Sequence, residues 1–122
     1  EAARKGDVEV VRVLLEDGRA DPAANGSIAL RWGARGGRLE LVLLFLQDGR
    51  ANPADLDNET VREASFYGHS EVVKVLLKDP RVDPSAKNNG AVFFAARNGH
   101  VLALRLLLQD PRVDGTRAIA EA

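Results

Sequence analysis

Apolar residues recur along this chain at helical spacing, in blocks separated by polar and glycine-containing stretches. Val8, Val10, Val11, Leu14 and Leu15 are interleaved with Glu9, Arg12 and Glu16, and Leu41, Val42, Leu44, Phe45 and Leu46 form the next block. Steps of three and four place such residues on one side of a helix. The pattern predicts amphipathic outer helices over about 7–17, 38–48, 69–79 and 100–110, apolar sides inward. Shorter blocks ahead of the last three predict inner helices near 29–36, 60–67 and 91–98. Asp7 is placed to cap the first outer helix, and Gly18, Pro80 and Pro111 to end helices. Neither strand-like alternation nor a βαβ rhythm occurs, so the expected class is all-α.

The blocks copy one another. Glycines stand at 6, 37, 68 and 99, aspartates at 17, 48, 79 and 110, and arginines at 19, 50, 81 and 112. Three independent columns therefore share a 31-residue period, the mark of a solenoid in which each unit buries its apolar face on its neighbours. The register gives one array over 1–122, with units near 1–21, 22–52, 53–83 and 84–114 and the start of another at 115–122. Each unit reads as loop, short helix, glycine turn and longer helix.

Composition narrows the function. The formal net charge of -1, from 17 basic and 18 acidic residues, provides no overall field for nucleic acid or an anionic membrane. No apolar run approaches the roughly 18 residues of a membrane span, so no membrane partner is expected. The absence of cysteine removes disulfides and thiolate chemistry and fits an intracellular protein.

The run Ala64-Ser65-Phe66-Tyr67-Gly68-His69-Ser70-Glu71-Val72-Val73-Lys74-Val75-Leu76-Leu77 resembles the central signature of the ankyrin repeat, and Gly99-His100 with Leu106-Leu107-Leu108 restates it. The resemblance covers the whole chain and implies an ankyrin-like helix-turn-helix solenoid of stacked repeats. Two features depart from the family pattern. The period is 31, against about 33 in the family, and the Thr-Pro-Leu-His that opens the family's inner helix is replaced by Ile28-Ala29-Leu30-Arg31, Glu59-Thr60-Val61-Arg62 and Gly90-Ala91-Val92-Phe93. The shortened loop is expected to be too tight for the family's projecting β-hairpin finger, while the helix pair survives.

Chemistry finds little footing. His69 and His100 occupy one column in successive units, which stacking holds about 8–10 Å apart, too far for one metal ion. They are expected to hydrogen-bond at the start of the outer helices, where Asp7 and Arg38 sit in sister units. Gly33 and Gly36 match a Gly-x-x-Gly loop, but the register puts them inside an inner helix and removes the RNA reading. No phosphate loop, nucleophile triad or cofactor motif occurs, so no catalytic, metal or cofactor site is expected.

One feature exceeds the needs of the repeat. At 100° per residue, Val61, Ala64, Ser65 and Gly68 share one side of the third unit's inner helix, and Arg62, Glu63, Phe66 and Tyr67 face the other way. The same columns hold Arg31, Trp32 and Arg35 in the second unit and Phe93, Phe94, Arg97 and Asn98 in the fourth; in the first they hold Glu1, Arg4 and Lys5. Five of the six aromatics fall there, Phe45 being the exception. Aromatics and arginine carry interface energy more often than other side chains, so this concave side is the expected partner-binding face, and the resemblance implies the same use of it. A structural reading competes at four positions: Trp32 and Phe94 as gap fillers, Arg31 and Arg62 as donors to loop carbonyls. Stacking also suggests a ladder pairing Arg62 with Phe93 and Arg97 with Phe66.

These features predict a non-catalytic protein-protein interaction module whose partner is another protein or peptide, bound through the loops and the concave inner-helix face. The alternatives are a structural spacer and a substrate-recruiting segment within a larger multidomain protein. The first unit lacks most of its inner helix, Ala118 to Ala122 match 91–95, and Leu102 stands where sister units have glutamate. The array is thus expected to be part of a longer one, and to fray or self-associate through its ends when alone.

Overall fold

A computed structural model describes residues 5–120, with side chains for 7–119. Eight helices follow in order: α1 (Lys5–Asp17), α2 (Ala24–Arg35), α3 (Leu39–Asp48), α4 (Asp55–Phe66), α5 (Ser70–Leu77), α6 (Ala86–Arg97), α7 (Val101–Leu108) and α8 (Thr116–Ala120). No strand occurs among the described residues. The inner helices α2, α4, α6 and α8 pack side by side in one row, and α1, α3, α5 and α7 form the outer row. Each inner helix also packs on the outer helix that follows it, α2 on α3, α4 on α5 and α6 on α7. The all-α expectation holds, and the helix boundaries lie within a few residues of those read from the sequence.

The core lies between the rows and is built column by column. Leu30, Val61 and Val92 fill it from the inner helices, and Phe45, Leu76 and Leu107 from the outer ones. Gly33, Ala64 and Ala95 are buried where the rows cross. A methyl group on Gly33 would lie 3.5 Å from Val42, so small residues set the approach of the two helices.

Several local expectations change. Asp7 does not cap α1, because the helix runs unbroken from Lys5 and leaves the carboxylate in its first turn. Val8 is buried and Val11 and Leu15 pack on the core, but Val10 and Leu14 are 60% and 50% exposed, on a flank that α3 does not cover. Gly18 follows α1 at φ 85° and Gly49 caps α3 at φ 86°. α5 and α7 end at Leu77 and Leu108, three residues ahead of Pro80 and Pro111.

The first turn of α2, of α4 and of α6 is a compact left-handed turn, after which the regular inner helix begins. Asn25, Gly26 and Ser27 have φ between 54° and 65°, and Leu56-Asp57-Asn58 and Lys87-Asn88-Asn89 repeat that geometry. Such a conformation costs a non-glycine residue about 1–2 kcal/mol, least for Asn and Asp. Hydrogen bonds hold it on both sides. Arg31 donates to the carbonyls of Asn25 and Gly26, and Arg62 to those of Leu56 and Asp57. The last residue of each turn accepts a backbone N–H from the end of its own unit: Ser27 Oγ from Asn52 (2.8 Å), Asn58 Oδ1 from Asp83 (2.7 Å) and Asn89 Oδ1 from Asp114 (2.9 Å).

Two other columns join neighbouring units. Asp48 pairs with Arg50, Asp79 with Arg81 and Asp110 with Arg112, and each arginine reaches back to carbonyls about one period earlier. Arg50 binds Leu15, Arg81 binds Gly49 and Ala51, and Arg112 binds Val82. His69 and His100 sit at the starts of α5 and α7 but cap neither helix. Their Nε2 atoms bond the carbonyls of Arg35 (2.9 Å) and Phe66 (3.0 Å) at the end of the preceding inner helix. The expected bond at the outer-helix start is thus replaced by one between units. Each ring occupies the space over a turn glycine, Gly37 or Gly68.

Candidate protein-interaction face

The inner-helix row presents the residues that the sequence singled out. Trp32 is 63% exposed, on the side of α2 that no helix among the described residues covers, and Arg35, Phe66, Tyr67, Arg97 and Asn98 are exposed along the same row. Glu63, Phe93 and Phe94 are half-buried. Phe66 meets Tyr67 and Phe94 edge to face, with ring centroids 4.9 and 5.3 Å apart, and Phe93 meets Phe94 at 5.3 Å. This chain of contacts fixes the aromatic rings with exposed edges, a low-entropy arrangement for a contact surface. Asn98 donates to the Phe66 carbonyl at 2.9 Å. Glu1 and Arg4, placed on this side by the register, lie outside the described residues.

Arg31 and Arg62 are committed elsewhere. Their guanidinium groups hold the left-handed turns, and Arg31 also pairs with Glu59 at 3.3 Å. This is the structural alternative for those two positions. The expected ladder does not form: Arg62 serves its turn, and Phe66 has aromatic neighbours in place of Arg97. The arginine–aromatic pairs among the described residues are Arg35 over Tyr67 at 5.3 Å and Arg117 over Phe93 at 4.3 Å.

Sequence reasoning did not single out Arg117. The column of Arg31 and Arg62 continues as Phe93, which cannot donate to the turn at 87–89. Arg117 takes over from α8, binding the carbonyls of Lys87 and Asn88 while stacking on Phe93. The break in the arginine column was the available signal.

A cleft of about 610 Å³ opens beside this row, between α1, α2 and α3. Val11, Leu41 and Phe45 provide apolar wall, and Trp32, Arg35, Arg38 and Tyr67 also line it. The structure thus brings Trp32, Arg35 and Tyr67 together at one concavity. Glu63 approaches Arg35 at 3.7 Å, and its Oε1 has no hydrogen-bond partner. The Arg35 guanidinium stacks on Tyr67 without donating to that carboxylate oxygen.

Paired helices in two rows, bonded unit to unit at a fixed period, define a helical repeat protein. The model of the ankyrin repeat matches residues 1–27 and 63–89, which with the paired helices supports an ankyrin repeat family. No curated protein and no solved structure gives a significant match. Ankyrin repeats generally serve as protein–protein interaction modules and are typically non-catalytic. No helix among the described residues is long and apolar enough to cross a membrane.

Proposed function

We propose that this chain binds another protein or peptide through the exposed inner-helix face, with Trp32, Arg35, Glu63, Phe66, Tyr67, Phe94, Arg97 and Asn98 as the contact set and no chemistry of its own. The observation that carries the reading is the exposure of Phe66 and Tyr67 beside Arg97 and Asn98 in one row, where the packing of the repeat does not require large aromatics. Aromatic and arginine side chains grouped on a firm scaffold are the usual anchors of an interface. A spacer has no need of such a row.

The test is affinity capture with the parent chain and with a triple variant, Phe66→Ala, Tyr67→Ala and Arg97→Ala, both checked by circular dichroism. The reading predicts that the triple variant keeps its helical spectrum and loses the partner. Retention of every captured partner by a folded triple variant contradicts it.

A further inference from the structure

We infer that the segment bound at this face is a proline-rich stretch in the polyproline II conformation, lying across α4 and α6, with prolyl rings on Phe66, Tyr67 and Phe94 and carbonyls toward Tyr67 and Arg97. The inference rests on the interaction-face reading above and names the chemistry of its partner.

The middle of the row carries the argument. α4 has an inner helix on each side, α2 and α6, and α6 lies between α4 and α8, so the flanks of both are covered and their common face stands open. Phe66 and Tyr67 are 38% and 39% exposed. They meet each other and Phe94 in one patch whose neighbouring rings are inclined by 63° and 60°. Rings set at such angles make a corrugated apolar surface, the kind on which the prolyl rings of an extended segment dock.

Charge does not select the occupant. Along α2, α4 and α6 stand five cationic and four acidic side chains, and every carboxylate has a partner within the protein. Asp55 accepts from Ser27 Oγ at 2.7 Å, and Asp57 approaches Lys87 at 3.6 Å. Glu59 lies 3.3 Å from Arg31 and Glu63 3.7 Å from Arg35. Arg62 is held by its turn, while Arg97 makes no ion pair, hydrogen bond or ring contact among the described residues.

The polar groups left open on the patch are mainly donors. The Tyr67 hydroxyl has no hydrogen-bond partner among the described residues, and Arg97 adds a fork of N–H groups. The unpaired Glu63 Oε1 is buried, out of a ligand's reach. A surface with donors to offer fits a partner rich in acceptors. A polyproline II segment leaves its backbone carbonyls unbonded and has no N–H at each proline. Spacing agrees. Three residues per turn with a rise of about 3.1 Å return a proline to the same side about every 9 Å, and packed helices lie about 8–10 Å apart. A segment running from α4 to α6 therefore sets one proline on each helix.

Four synthetic peptides of about thirteen residues test this by calorimetry with the full chain. The first has proline at every third position with Ala and Gln between, and the second spaces the same number of prolines at every fourth. The third and fourth keep the every-third spacing and carry Glu or Lys in place of Gln. The first peptide is expected to bind about fivefold or more tighter than the second. The Glu and Lys peptides are expected within about fivefold of the first, the most that one exposed ion pair contributes. Tyr67→Phe, which keeps the ring, the circular dichroism and the fold, is expected to weaken the first peptide about threefold or more by removing the hydroxyl.

A smaller advantage for the every-third spacing overturns the inference, as do a Glu or Lys peptide outside that margin, a smaller effect of Tyr67→Phe, or no binding of the first peptide at millimolar concentration. Tighter binding of a single-stranded oligonucleotide also overturns it, by assigning the rings to stacked bases. Failure here is distinct from failure of the interaction-face reading: if the triple variant loses its captured partner while the proline peptides fail, only the proline-rich character of the partner falls.

Discussion

Thr60 is fully buried and its hydroxyl has no partner. A threonine in a helix ordinarily returns its hydroxyl hydrogen bond to a carbonyl one turn back, but here those carbonyls belong to the left-handed turn at 56–58 and are taken by Arg62. Sister units carry Ala29 and Ala91. Thr60→Val keeps the shape and removes the unpaired group, so it is expected to raise stability by about 1 kcal/mol in urea unfolding. The turn glycines give a second test. Gly68 has φ 75°, and a methyl group there would clash with the His100 ring, whereas Gly99, at φ 73°, has nothing within 4 Å of that position. Gly99→Ala is expected to cost only the left-handed backbone term, about 1–2 kcal/mol. Gly68→Ala adds the clash and the loss of the His100 bond, for a total of about 3 kcal/mol or more. Equal costs would show that the histidine contact contributes nothing.

At the scale of the element, one column has different work in different units. Arg81 reaches the carbonyl of the fully buried Ala51, while among the described residues Arg19 bonds only Asp17, and it is 89% exposed. Arg81→Ala is therefore expected to cost about 1.5–3 kcal/mol and to raise hydrogen exchange in the units it joins, and Arg19→Ala to be close to neutral. The paired aspartates add a pH dependence. Hydrogen bonds from Arg50, Arg81 and Arg112 hold Asp48, Asp79 and Asp110 below the usual carboxylate range. A carboxyl with a lower pKa folded than unfolded stabilises fully above its unfolded value, near 3.9, and loses that contribution as pH falls through the folded one. Stability is expected to be level above about pH 5 and to fall below pH 4, less steeply in Asp79→Asn.

The sequence displayed these columns without displaying their purpose. Period and residue type are visible in a string, but Arg81 and His100 bond backbone carbonyls 30 to 34 residues away, and a carbonyl has no sequence identity. The left-handed turn at 56–58 was hidden for a related reason: Leu56, Asp57 and Asn58 include no glycine to announce it. That turn draws Arg62 away from Phe93, which is why the arginine–aromatic ladder failed. The exposed row itself was legible, because helical angle alone places Trp32, Phe66, Tyr67 and Arg97 opposite Val61, Ala64 and Ser65.

Across the whole molecule, stability in a stacked array is approximately a sum of unit and nearest-neighbour terms. The polar columns and the buried apolar columns supply the neighbour terms. The central claim is that the exposed inner-helix residues lie outside that sum and are available for binding. Urea unfolding of Trp32→Ala and Arg97→Ala beside Gly68→Ala and Arg81→Ala measures this directly, with helicity at 222 nm as the signal common to all four. The account predicts that Trp32→Ala and Arg97→Ala stay within about 0.5 kcal/mol of the parent, while Gly68→Ala and Arg81→Ala lose about 1.5 kcal/mol or more. Losses at Trp32 and Arg97 as large as those at Gly68 and Arg81 would contradict it, because the row would then be part of what holds the fold together.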